Sequence, residues 1–157
     1  MDESRALNYC LWLLGRSART EAELRERMLG KEATPSTVDT VIARLREYRY
    51  VDDDAYAREF VRVRSRRHGR IRLRRDLLAK GVSEQLAESS LAALDDDSQA
   101  RSALAALRSS AWRFVREGED WRKGRARAWA FLVRRGFTPD IAAGALELFG
   151  QEAGWNA

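Results

Sequence analysis

Between Arg58 and Arg75 the sequence reads REFVRVRSRRHGRIRLRR, nine arginines against one carboxylate, Glu59. Guanidinium groups bind rather than react. Their planar fork grips phosphate or carboxylate at two points and stacks on bases or aromatic rings. A charge run this dense is ordinarily a solvated face or a disordered tail. Here it is threaded with Tyr56, Phe60, Val61, Val63, Ile71 and Leu73. Tyr56, Phe60 and Val63 recur at helical spacing, while Arg58, Arg62 and Arg66 form an i, i+4 row on another side. The spacing predicts a helix that turns its apolar face to a core and presents arginines on an ordered scaffold. Such a surface suits nucleic-acid phosphates or an acidic protein face.

A second basic cluster comprises Arg122, Lys123, Arg125, Arg127, Arg134 and Arg135, interleaved with Trp121, Trp129 and Phe131. Core packing is the simpler expectation for Trp129 and Phe131, whereas Trp112 and Trp121 are candidates either to pack or to stack on bases. This cluster is read as a secondary contact surface.

Residues suited to catalysis are sparse. The one histidine, His68, lies in the arginine-rich connector, with no Ser or Cys nucleophile placed beside it. Cys10 reads as a small buried hydrophobe on the first helix. The runs Asp52-Asp53-Asp54 and Asp95-Asp96-Asp97 lack the loop of an EF-hand and read as helix caps. No GxxxxGK[ST] loop is present to cradle a nucleotide. The expectation is a protein without catalytic residues, metal or cofactor.

The elements that must position the arginines are helical. Among 157 residues there are 10 glycines and 2 prolines, and 45% of the chain is hydrophobic and 34% charged. This composition favours helices and supports one folded domain or a few small modules. A net charge of +5 favours a polyanionic partner. The acidic start MDESRALNYC resembles no secretory leader, and no apolar run approaches the roughly 20 residues that span a bilayer. A cytoplasmic protein is expected.

A weak repeat organises the helices. Residues 24–45, 73–94 and 128–149 align without gaps, each as a short helix, a turn and a second helix. Met28, Leu77 and Leu132 share one column, Leu29, Leu78 and Val133 the next, and Ile42, Leu91 and Leu146 a third. All three columns are expected to be core. Gly81 and Gly136 stand just past a helix end, where Glu32 replaces glycine in the first copy. Thr34, Ser83 and Thr138 occupy the N-cap column, and Pro35 and Pro139 follow two of them at the first helical position. An amphipathic segment precedes each pair, over 5–14, 53–67 and 98–116. In the last, Ala100, Leu104, Leu107, Ala111 and Phe114 form the apolar stripe. The result is an all-α chain of three tandem three-helix, helix-turn-helix-like repeats: 1–52, 53–96 with the basic signature, and 97–157. Major-groove readout by the second helix of a pair is disfavoured, because residues 84–94 and 139–149 contain no lysine or arginine.

The stretch YVDDDAYAREFVRVRSRRHGRIRLRRDLLAKGVSEQL resembles the central signature of the RecX family of bacterial regulators of the RecA recombinase. The likeness rests on Tyr50 to Asp53, Tyr56-Ala57, Phe60-Val61, the arginine connector and Leu77 to Val82. Ala6-Leu7, Leu11 to Leu14 and Ser17 to Leu29 resemble the family's opening, and the third repeat is looser. Glu32, where glycine is commoner, is a departure. The resemblance implies an elongated, curved molecule that lodges in the groove of the RecA–DNA filament, touches several protomers and also binds DNA. It implies suppression of RecA's ATP hydrolysis, strand exchange and coprotease function, and so control of repair and recombination. The residues expected to carry RecA or DNA contact are Arg58, Arg62, Arg66, Arg67, Arg70, Arg72, Arg74 and Arg75, with Lys123, Arg125, Arg127, Arg134 and Arg135 as the secondary surface. The alternative is a non-sequence-specific binder of single- or double-stranded DNA acting without RecA. With no heptad seam, a monomer is expected.

Overall fold

The computed structural model describes residues 1–155; residues 156–157, the end of the expected third repeat, lie outside the described residues. Among the described residues all regular structure is helical. The order is α1 (Glu3–Leu14), α2 (Glu21–Leu29), α3 (Pro35–Glu47), α4 (Asp53–Arg64), α5 (Arg70–Ala79), α6 (Glu84–Leu91), α7 (Asp96–Ser109), a 3-10 turn (Ala111–Arg113), α8 (Trp121–Arg134) and α9 (Pro139–Ala153).

Short polar side chains set the helix starts. Thr20 and Glu23 form a reciprocal capping box on α2, with Glu23 N–H donating to Thr20 Oγ1 at 3.2 Å and Thr20 N–H to Glu23 Oε2 at 3.1 Å. Asp2, Thr34, Asp52, Ser83 and Asp95 each accept from a backbone N–H in the first turn of the following helix. Thr138 sits at the N-cap of α9 without a side-chain bond, so Pro139 sets that start alone. Turn ends follow the expected register: Gly81 and Gly136 have φ of 79° and 83°, and Glu32 takes the same left-handed conformation at 61°.

Packing divides the chain into two compact units, Met1–Phe60 with Asp76–Ser90, and Val61–Arg75 with Leu91–Ala157. The division passes through α4, α5 and α6. In the first unit α1, α2 and α3 close around Cys10, Leu24, Met28, Ile42 and Leu45. Burial pushes the Cys10 thiol up to about 11, so it serves as a small apolar side chain. The α5–α6 turn braces α2 in this unit: Thr20 Oγ1 donates to the Lys80 carbonyl at 2.6 Å and Lys80 Nζ pairs with Glu23 at 2.9 Å.

The second unit packs α7 and α8 against α9. Its centre is aromatic, with Phe114 edge-on to Phe131 at 5.2 Å and to Phe149 at 6.3 Å, and Trp155 against Phe149 at 5.2 Å.

Two of the aligned columns are core and one is not. Met28, Leu77 and Leu132 are fully buried, and Ile42, Leu91 and Leu146 nearly so. Leu29 and Val133 are 50% and 46% exposed, and Leu78 is half-buried. The next helical residue lies about 100° around the axis from a core position, which carries it off the buried face. Similarly, α4 buries Ala57, Phe60 and Val61, an i, i+3, i+4 set, and leaves Val63 50% exposed. The expected 98–116 helix ends at Ser109, and its buried face is Gln99, Ala103, Ala106 and Leu107, with Phe114 reaching the core from beyond the 3-10 turn.

Candidate nucleic-acid interface

The arginines of the central stretch have different local fates. Arg58 is exposed on α4 and pairs with Asp54 one turn back at 3.3 Å. Helix α4 stops at Arg64, so the expected i, i+4 row is cut short and Arg66 and Arg67 stand in the turn that follows. Arg62 and Arg75 are exposed, and Arg72 and Arg74 half-buried.

Arg70 opens α5 and is bound into the second unit. Its backbone N–H donates to Gln99 Oε1 at 3.1 Å, Nη1 pairs with Asp96 Oδ1 at 2.7 Å, and Nη2 donates to the Leu94 carbonyl. Gln99 is buried. Arg70 therefore fastens the start of α5 to the α6–α7 junction, and its guanidinium is committed to Asp96 and the Leu94 carbonyl.

Arg66 and Arg67 differ. Both are exposed, and among the described residues their side chains make no hydrogen bond or ion pair. They line a hollow of about 400 Å³ with Ala105, Ala106, Ser109 and Arg135. The structure thus joins two residues of the central stretch to one from the second basic cluster. A backbone crossing creates the juxtaposition: Gly69 N–H donates to the Arg135 carbonyl at 2.8 Å and Ile71 N–H to the Gly136 carbonyl at 3.1 Å. The approach demands glycine on both sides. A Cβ on Gly69 would lie 2.3 Å from the Gly136 carbonyl oxygen, and one on Gly136 would lie 2.4 Å from the Arg72 backbone nitrogen.

Arg135 is held by a 3.3 Å bond from Nη1 to the Arg67 carbonyl and by the Phe131 ring, 4.5 Å beneath its guanidinium. Burial first, and then the positive charges of Arg67, Arg72 and Arg113, lower its pKa from the ordinary arginine value. This hollow holds a concentrated positive field in which an anion would relieve the repulsion among its walls.

The rest of the second basic cluster is dispersed. Arg127 is committed to Glu119 through two bonds of 2.8 and 2.5 Å and to the Arg113 carbonyl at 3.0 Å. Lys123 is exposed on the first turn of α8, Arg125 half-buried and Arg134 exposed at its last turn. Phe131 is buried as expected, but Trp129 is 37% exposed and lies outside the core. Trp121 packs partly against the core, whereas Trp112 is 75% exposed. No group of three or more His, Cys, Asp or Glu side chains among the described residues could hold a metal ion. No helix among the described residues is long and apolar enough to cross a membrane.

Comparison with known proteins places this architecture. Residues 6–45 match the first three-helix domain of RecX, and residues 52–91 match the second. The regulatory protein RecX of Thermus thermophilus is 38% identical over 149 residues, covering 95% of both chains. That of Deinococcus radiodurans is 34% identical over 131 residues, covering 83% of this chain and 61% of its own. The crystal structure of RecX from Lactobacillus salivarius superposes with a TM-score of 0.84 over 96% of this chain and 97% of its own, at 21% identity. Two matched three-helix domains, near full-length similarity and a shared all-helical fold lead to one assignment: this chain belongs to the RecX family.

Proposed function

We propose that this protein is a cytoplasmic, non-enzymatic regulator that binds the RecA–DNA filament as a monomer and suppresses ATP hydrolysis, strand exchange and coprotease function. Family membership supports the regulatory role, since relatives across the chain are named regulatory proteins. The observation that carries the mode of binding is the hollow of Arg66, Arg67 and Arg135. There, two exposed guanidiniums lacking carboxylate partners meet a third held against Phe131. In this reading those residues grip DNA phosphates or carboxylates lining the filament groove. Arg58, Arg62, Arg72, Arg74 and Arg75 widen the field, with Lys123, Arg125 and Arg134 as more distant contributors. Arg70 and Arg127 act by holding the scaffold. Three repeats, 1–52, 53–96 and 97–157, are proposed as the units that spread these contacts along the partner, several modest contacts adding to one affinity.

RecA's DNA-dependent ATPase, measured with this protein below one molecule per protomer, tests the proposal. Loss of ATPase at that ratio is expected. Inhibition only once the protein saturates the DNA itself would replace the filament reading with simple competition for the strand. The same unpaired arginines would serve that second mode, which is recognised by a steep salt dependence and equal affinity with or without RecA.

A further inference from the structure

On the 3-10 turn after α7, Trp112 stands 75% exposed at the rim of a second hollow, of about 370 Å³, lined by Arg113, Phe114, Arg116, Arg127, Ala130 and Arg134. The cations here are unequal. Arg127 is neutralised by Glu119. Among the described residues, Arg113, Arg116 and Arg134 make no side-chain hydrogen bond or ion pair. Three guanidiniums without a hydrogen-bonded carboxylate thus share the hollow with one projecting indole, Arg113 lying over the Phe131 ring at 5.4 Å and Arg116 within the field of Glu119.

The turn is rigidly built. Phe114, the residue after it, is buried edge-on to Phe131 and Phe149. Arg127 Nε donates to the Arg113 carbonyl at 3.0 Å, and the Phe114 and Val115 N–H groups donate to the Ala111 carbonyl at 2.9 and 3.0 Å. The backbone that carries Trp112 is therefore held before binding, which lowers the cost of association.

We propose that this hollow is a stacking subsite for an unpaired base of single-stranded DNA, the base lying on Trp112 and the adjoining phosphates on Arg113, Arg116 and Arg134. The proposal deepens the reading of the protein as one that works at DNA, and adds a site separate from the Arg66, Arg67 and Arg135 hollow. An acidic peptide would use the guanidiniums but would leave the indole without a role. A duplex hides its base faces, whereas a single strand offers a face and a phosphate together, whatever its sequence.

Anisotropy of labelled oligo(dT) and of a duplex of equal length, with wild type, Trp112→Ala and Trp112→Phe, tests it. Because Trp112 projects from the surface, truncation leaves the core intact, and Trp112→Phe retains a ring if alanine disturbs the turn. Trp112→Ala is expected to weaken oligo(dT) binding about tenfold, Trp112→Phe by less than about threefold, and duplex binding by less than about twofold. Unchanged oligo(dT) affinity, or equal losses on strand and duplex, would overturn the subsite. A loss confined to binding RecA without DNA would overturn it in favour of a protein contact. The RecA ATPase assay, run in parallel, separates the two readings. An inert wild type there refutes filament regulation, while the anisotropy still decides the subsite.

Discussion

Both compact units fasten their helices with ion pairs, and the second also gathers unpaired arginines around two hollows. In the first, Arg46 grips Glu21 with two 2.7 Å bonds, Arg25 bonds Asp39 at 2.6 Å, and Lys80 meets Glu23 at 2.9 Å. These pairs tie helix to helix. In the second, Arg70, Arg108 and Arg127 do comparable fastening, while the side chains of Arg66, Arg67, Arg113, Arg116 and Arg134 make no hydrogen bond or ion pair among the described residues. A net charge of +5 is thus a poor guide to where a polyanion would sit. What matters is which cations the fold has already neutralised, and of those left over, Arg66, Arg67, Arg113, Arg116 and Arg134 line two hollows of the second unit.

The comparison breaks most severely if the backbone crossing behind the first hollow is removed. Gly136→Ala, with φ at 83° and its Cβ 2.3 Å from that of Arg72, should cost about 3 kcal/mol or more in urea unfolding. Binding should fall with it, because Arg67 and Arg135 lose their common anchor.

Arg70→Ala sharpens the contrast between fastening and binding arginines. Losing the bonds to Asp96 and the Leu94 carbonyl should destabilise the fold by about 1–3 kcal/mol, with inhibition of RecA per folded molecule little changed. The double variant Arg66→Ala/Arg67→Ala should do the reverse, shifting stability by less than about 0.5 kcal/mol and lowering the salt dependence of DNA binding by up to about two charges.

For the first unit the pairing has a pH signature. Arg46 holds the Glu21 carboxyl below its ordinary 4.5, chiefly through their hydrogen bond and against the effect of burial. A lowered folded pKa means the pair stabilises the protein above the ordinary carboxylate range and ceases to do so as pH falls through the folded value. Arg46→Ala should therefore cost about 0.2–1 kcal/mol near neutral pH, and the difference from wild type should shrink below pH about 4. Asp53, which accepts from Glu21 N–H at 3.0 Å, runs the other way. Burial raises its pKa, so its contribution is present in acid and declines as pH rises through that value. The shrinkage must be measured as the wild-type minus variant difference at each pH.

An effect of similar size and opposite sign is expected at Glu32. Its φ of 61° suits glycine, so Glu32→Gly should stabilise the first unit by about 0.5–1 kcal/mol in thermal or urea unfolding.

Local signals were legible in the sequence wherever the physics is local. Thr20 with Glu23, Asp52, Asp95 and Ser83 cap their helices because hydroxyl or carboxylate and N–H lie within a turn of each other. Helical period located Met28, Leu77 and Leu132 in the core. Period alone does not choose between adjacent stripes, so Val63, Leu29 and Val133 read as core when their helices face inward one position away. The fate of each arginine was illegible for another reason. Arg70 finds Asp96 and Arg127 finds the Arg113 carbonyl across turns that no spacing rule predicts. Arg67 meets Arg135 only because Gly69 and Gly136 let two backbones touch.

The most direct test compares inhibition of RecA's DNA-dependent ATPase by Arg66→Ala/Arg67→Ala and by Arg25→Ala/Arg46→Ala, each removing two positive charges and each verified as folded. The first should lose inhibition about tenfold or more, and the second should inhibit as wild type does. Equal loss in both would mean that net charge alone draws the protein to its partner, and no loss in the first would remove the arginine hollow as the binding surface.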